Sequence, residues 1–159
     1  MWELHPQEFH EILIHGKLVP TPRWQQAYGK DYYYTNRTNR ALPVPKVLLP
    51  FLEWGQQSID PRLDGLLVNW YDGKLGHYIG RHRDSIEGIV EGPIVTISLG
   101  EERKFRLRPW RGEGRMDFVA QHGTVFIMPY ETNLAWTHEV PKSSRCQERR
   151  ISVTLRGFV

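Results

Sequence analysis

From Leu66 onward the chain is a succession of short apolar or alternating runs, each stopped by glycine, proline or a polar turn. That pattern constrains the fold more than any other feature, because such runs suit strands and are too short for helices that bury a face. Leu66-Leu-Val-Asn-Trp-Tyr71 ends at Asp72-Gly73, a turn signal, and the β-branched run Pro93-Ile-Val-Thr-Ile-Ser-Leu99 ends at Gly100. Lys104-Phe-Arg-Leu-Arg108 alternates charged and apolar residues, placing Phe105 and Leu107 on one face and the cations on the other. Further strands are expected at Met116–Ala120, Thr124–Met128, Ala135–Val140 and Arg150–Leu155. Many short strands with Gly/Pro punctuation predict an antiparallel barrel or double-sheet sandwich, and a jelly roll fits best. The fold class is therefore mostly β with flanking helices (α+β).

Upstream, the signals differ. Residues 16 to 46 are rich in Pro, Arg, Tyr and Asn with little periodicity, as in a long surface segment. Phe51, Leu52, Trp54 and Ile59 follow Pro50 at helical spacing and stop at Asp60-Pro61. His5 to His15 reads as a short first helix. With no repeat or long linker, 1–159 is expected to be a single domain, with a lid at about 16–46 and a jelly-roll core at about 64–157.

Cys146 is the only cysteine, which excludes an intrachain disulfide and a thiolate zinc site and points to a reducing, intracellular setting. No apolar run approaches the length of a membrane span, and the N-terminus lacks the layout of a secretory signal. The expectation is a cytoplasmic chain, or a nuclear one in a eukaryote, acting as a monomer without a membrane. The net charge of +3 is compatible with a nucleic-acid partner but also with many ordinary small proteins.

Against this frame stands an ordered set of polar residues. His82-Arg83-Asp84 places an imidazole and a carboxylate two positions apart, on one side of a strand. His138, in Trp136-Thr-His-Glu-Val140, offers a second imidazole from a distant strand, whereas His77 and His122 read as loop residues. Two His and one carboxylate on one face of a metal leave other positions open, the arrangement of non-haem Fe(II) oxygenases. Arg150 and Arg156 lie six apart and so share a strand face with Ser152 and Thr154. Such a doubly cationic face is costly to bury without an anion, and guanidinium forks match the two ends of a dicarboxylate. Asn69 and Tyr71, also two apart, add uncharged hydrogen-bonding groups.

The order Asn69-x-Tyr71, His82-x-Asp84, Pro93-Ile-Val-Thr-Ile-Ser-Leu-Gly100, Phe105, Gly123, His138 and Arg150-x5-Arg156 resembles the AlkB family of 2-oxoglutarate- and Fe(II)-dependent dioxygenases, over roughly residues 20 to 157. The resemblance implies a double-stranded β-helix. It implies that His82, Asp84 and His138 bind Fe(II). Asn69, Tyr71 and Arg150 would hold the distal carboxylate of 2-oxoglutarate, and Arg156 the carboxylate beside the keto group. The implied reaction uses O2 to remove alkyl groups from nucleobases in DNA or RNA, as repair or as reversal of a modification. It releases succinate, CO2 and an aldehyde. Pro22-Arg23-Trp24-Gln25 and Tyr32-Tyr-Tyr34-Thr35 resemble the family's nucleotide-recognition lid, which implies that Arg23, Tyr32 and Tyr34 meet the substrate. Trp24 reads as packing.

The pattern departs from the family at one position. Repair members usually carry an acid two residues after the metal-binding Asp, and here that residue is Ile86, followed by Glu87. Two alternatives therefore stay open: the same chemistry on a protein side chain or small metabolite, and a non-catalytic jelly roll that binds nucleic acid. The basic loop Arg108-Pro-Trp-Arg-Gly-Glu-Gly-Arg115 reads equally as a phosphate-tracking loop or a solvated hairpin tip.

Overall fold

A computed structural model describes residues 1–159. After a 3-10 turn at Trp2–Leu4, thirteen strands and two α-helices follow in chain order. They are β1 (Glu11–Ile14), β2 (Lys17–Pro20), β3 (Trp24–Tyr28), β4 (Tyr32–Tyr34), β5 (Arg37–Asn39), α1 (Leu49–Ser58), β6 (Gly65–Asp72) and β7 (Ile79–His82). Then come β8 (Ile94–Gly100), β9 (Arg103–Pro109), β10 (Met116–Ala120), β11 (Val125–Met128), α2 (Tyr130–Ala135), β12 (Trp136–Val140) and β13 (Arg149–Arg156).

Two antiparallel sheets carry the architecture. The larger has the order β11-β8-β13-β6-β3 and the smaller β10-β9-β12-β7; β1-β2 and β4-β5 are separate hairpins. Every strand expected from Leu66 onward is present, within a residue or two of its expected ends. The jelly-roll expectation holds.

The main hydrophobic core is not between the sheets. Leu66, Val68 and Trp70 of β6, Val95 and Ile97 of β8, and Val153 and Leu155 of β13 pack with Leu48 and Leu63, and with Phe51 and Leu52 of α1. This face of the larger sheet is thus covered by the helix. Gly55 sits where α1 crosses β13: a Cβ there would lie 2.6 Å from a Leu155 methyl. The alternate residues of the same strands, including Asn69, Tyr71, Thr96, Arg150, Ser152 and Thr154, face inward and line a cavity between the sheets. Period-two alternation has sorted apolar residues to the helix and polar ones to the interior.

The N-terminal third differs from its sequence reading. His5 to His15 is not a helix, because β1 pairs with β2 through a two-residue turn at His15-Gly16. Both turn residues have positive φ, 47° and 76°, the backbone that closes tight hairpins. Thr35 and Asn36, at 48° and 59°, do the same for β4 and β5. The 16–46 stretch is not a surface segment throughout. β3 is the edge strand of the larger sheet, paired with β6, and its Gln25, Ala27 and Tyr28 are buried.

Candidate metal centre

Strand register brings the two imidazoles together. β7 and β12 are antiparallel neighbours with His82 directly opposite His138, and the ring centroids are 4.2 Å apart. Asp84 lies just beyond the end of β7 rather than within the strand, so strand alternation alone does not aim it. Its backbone is held instead by Asn133 of α2: the side-chain Nδ2 donates to the Asp84 carbonyl at 3.1 Å, and Oδ1 accepts from the Asp84 N–H at 3.0 Å. Asn133 is fully buried. The bracket does for Asp84 what a neighbouring strand does for a residue inside a sheet.

The result is a compact triad. His82 Nε2 and His138 Nε2 each lie 3.7 Å from Asp84 Oδ1. One ligand atom from each of the three residues falls within 4.8 Å of the others. His82 Nδ1 lies 2.8 Å from the Gly80 carbonyl, so the proton resides on Nδ1 and the Nε2 lone pair faces the centre. Burial, and then the neighbouring His138, push the His82 imidazole down to about 3 against the pull of Asp84. Burial pushes His138 down as well. Burial alone would raise the Asp84 carboxyl, but Arg156, His138 and His82 together hold it below the usual carboxylate range. Neutral imidazoles beside an ionised carboxylate are the protonation states that a divalent cation requires. The donor set fits Fe(II).

Arg156 is met by a carboxylate of the chain itself. Its guanidinium does not present a free fork: Nε donates to Asp84 Oδ2 at 3.0 Å and Nη2 donates to the same oxygen. Asp84 therefore divides its oxygens, with Oδ2 on Arg156 and Oδ1 toward the histidines and the Tyr32 hydroxyl, which donates at 3.3 Å. A strand-face argument identifies which residues Arg156 travels with, but not that a carboxylate from a different strand will reach it.

Arg150, at the far end of the same strand face, is 1% exposed. Its Nε donates to Ser98 Oγ at 2.9 Å, its carbon lies 5.0 Å from the Tyr71 ring centre, and Nη1 has no partner. Burial pulls its pKa below the ordinary arginine value. Two further buried cations flank it. Arg23 donates to Asn69 Oδ1 at 2.7 Å and Gln25 Oε1 at 2.8 Å, and Arg103 donates to the carbonyls of His77 and Pro141. None of the three is paired with a carboxylate. An unpaired buried cation is strongly disfavoured, so this end of the cavity is built for an anion.

Among the remaining expected site residues, Asn69, Tyr71, Tyr32, Tyr34 and Arg23 all line the triad's cavity. Tyr32 is buried and stacks on the half-buried Tyr34 at 6.1 Å, and Tyr34 meets His82 edge-on at 5.6 Å. Arg23 is 4% exposed, deep beside Asn69 rather than on an outer lid. Trp24 packs among His5, Phe9 and His77. Neither His77 nor His122 joins the triad: His77 is buried with Trp24, and His122 Nδ1 accepts from the Gly100 N–H. Arg103, Gln25, Ser98 and Asn133 were not legible as site residues. Only the even spacing from Phe105 to Arg103 hints at any of them.

Comparison with known proteins agrees with this geometry. Residues 4–156 match the model of the 2OG-Fe(II) oxygenase superfamily. The chain is 29% identical over 161 residues to the human protein called DNA oxidative demethylase ALKBH2, covering 93% of this chain and 61% of the human one. It is 29% identical over 152 residues to the rat alpha-ketoglutarate-dependent dioxygenase alkB homolog 3, covering 86% of this chain and 50% of the rat one. The solved structure of OsALKBH1 superposes with a TM-score of 0.59 at 15% identity, over 86% of this chain and 78% of that one, a likeness of fold.

Proposed function

This chain belongs to the 2OG-Fe(II) oxygenase superfamily, and on that premise we propose that it oxidatively removes alkyl groups from nucleobases in DNA or RNA. 2-Oxoglutarate and O2 are consumed, and succinate, CO2 and an aldehyde are released. The observation that carries the reading is the pairing of a His82–Asp84–His138 triad with Arg150, a buried cation left without a carboxylate in the same cavity. A metal and a dicarboxylate complete both ends at once. The nucleobase assignment is supported by the relatives named for DNA demethylation and dioxygenase activity, and by the aromatic pair beside His82.

His82, Asp84 and His138 would hold Fe(II), which supplies O2 activation coupled to decarboxylation of 2-oxoglutarate. The chain's own groups do the positioning. Asn69, Tyr71 and Arg150 would receive the distal carboxylate, with Arg23 and Gln25 fixing Asn69 from behind. Arg156 keeps Asp84 ionised and stands at the metal end, where the carboxylate beside the keto group would lie. Tyr34 offers the half-buried ring against which a displaced base would stack, and the buried Tyr32 backs it. Phe105 of the smaller sheet, with Phe126 and Met128 of β11 in the larger one, gives the cavity apolar walls that favour exclusion of water.

No helix is long and apolar enough to cross a membrane. We propose an intracellular protein acting as a monomer. The test uses His138→Ala with a methylated single-stranded oligonucleotide. Formaldehyde release is abolished while affinity for the oligonucleotide is retained; a variant that still turns over overturns the assignment of His138.

A further inference from the structure

Outside the metal cavity, and opening onto it, lies a second hollow of about 460 Å³ that shares Tyr34 and Asp84 with the first. Its wall carries an arginine that nothing in the chain neutralises. The Arg83 guanidinium carbon lies 3.9 Å from the centre of the Trp110 ring, and Nη1 donates to the Leu134 carbonyl at 3.0 Å. Neither contact is ionic, and no carboxylate pairs with Arg83. The other charges of the hollow do not answer it: Asp84 is committed to Arg156, and Glu87 is exposed and unpaired.

The side chain is nevertheless fixed. Its backbone is anchored between two residues of the triad, and the indole and a carbonyl hold its far end. A guanidinium has five N–H donors in a rigid fork, and one of these is in use. A pre-oriented fork with free donors is matched to the paired oxygens of a phosphate, and the stacked indole prevents its collapse onto the protein. Trp110 is 48% exposed, so the pair presents a flat cationic and aromatic surface beside the triad. Cation plus aromatic is how single strands are held without regard to sequence.

We propose that Arg83 and Trp110 form a phosphodiester-binding shelf, which grips the backbone of a nucleic-acid strand next to the nucleotide presented to the metal. The assignment rests on the nucleic-acid reading above and sharpens it: the substrate is a strand with its flanking phosphate in place, not a free base or nucleoside. The Arg108–Arg115 loop thereby acts through Trp110, which its first turn carries to the edge of the hollow.

The experiment measures binding of a methylated single-stranded oligonucleotide by fluorescence anisotropy over a range of salt, using wild type, Arg83→Ala, Arg83→Lys and Trp110→Ala. Each phosphate contact to a single strand contributes about 0.7 to the slope of log affinity against log salt. Arg83→Ala should flatten the slope by about that amount and weaken binding several-fold. Arg83→Lys should keep the slope while losing affinity, and Trp110→Ala should lose affinity as well. Wild-type binding with an unchanged slope in Arg83→Ala overturns the shelf and leaves the nucleic-acid reading standing. Absence of oligonucleotide binding by wild type overturns that reading and the shelf with it.

Discussion

Replacing Asn133 by alanine is expected to weaken the metal site from a distance, without touching any ligand side chain. The amide makes two hydrogen bonds to the main chain of Asp84, at 3.0 and 3.1 Å, and both residues are buried. Truncation leaves the Asp84 N–H and C=O without partners in a place water reaches poorly. An unsatisfied buried group costs about 1–3 kcal/mol, so the pair costs about 2–6 kcal/mol of stability in the metal-free chain. Because Asp84 lies beyond β7, no ladder hydrogen bond takes over, and the carboxylate loses its fixed approach to His82 and His138. Loss of a residue that orients a ligand typically lowers metal affinity by about 10–100-fold. Urea unfolding gives the first number and calorimetric titration with Mn(II) the second. Asn133→Asp, which keeps the acceptor but sets an oxygen against the Asp84 carbonyl, should lose nearly as much. A variant that folds and binds Mn(II) within about twofold of wild type would refute the role given to the bracket.

Two further outcomes follow from the buried charges. Arg150→Ala should raise the concentration of 2-oxoglutarate needed for half-maximal turnover by about 10-fold or more, as a charge-assisted hydrogen bond is worth about 1.5–3 kcal/mol. An unaltered requirement removes Arg150 from the anion site. Acidification should destabilise the metal-free chain. The folded state holds His82 neutral down to about 3, whereas the unfolded chain protonates it near 6.5, so the unfolded state gains protons first and stability falls across that window. Asp84, held below its usual range, adds its own loss only as pH drops through the carboxylate region. The urea midpoint is expected to fall between pH 7 and 4.5, and to fall less in His82→Asn; a midpoint that rises on acidification contradicts the burial of neutral imidazoles.

How much of this was legible in the sequence depends on which interactions are local. Strand alternation correctly grouped Arg150, Ser152, Thr154 and Arg156 on one inward face, because period two is a property of the backbone. It also paired Asn69 with Tyr71. The chain could not reveal that Arg156 would meet Asp84, since that contact joins positions 72 residues apart through the packing of two sheets. β3 was hidden for a related reason. Its inward residue Gln25, like the adjacent Arg23, is polar because it serves the cavity, and that erased the apolar alternation by which strands are recognised. β1 falls inside the His5 to His15 stretch expected to be a helix because its apolar residues form a short run with no clear period, and only the left-handed His15-Gly16 turn separates it from β2. Asn133 was invisible, since a side chain that bonds to backbone carries no signature in the partner's identity.

The most direct measurement follows succinate and formaldehyde after Fe(II) and 2-oxoglutarate are added anaerobically and air is admitted, with and without a methylated single-stranded oligonucleotide. Both products should rise together only when the methylated strand is present, and both should vanish in His138→Ala. Succinate that forms at one slow rate, whatever oligonucleotide is supplied, would contradict the nucleobase substrate and turn the search to proteins and small metabolites.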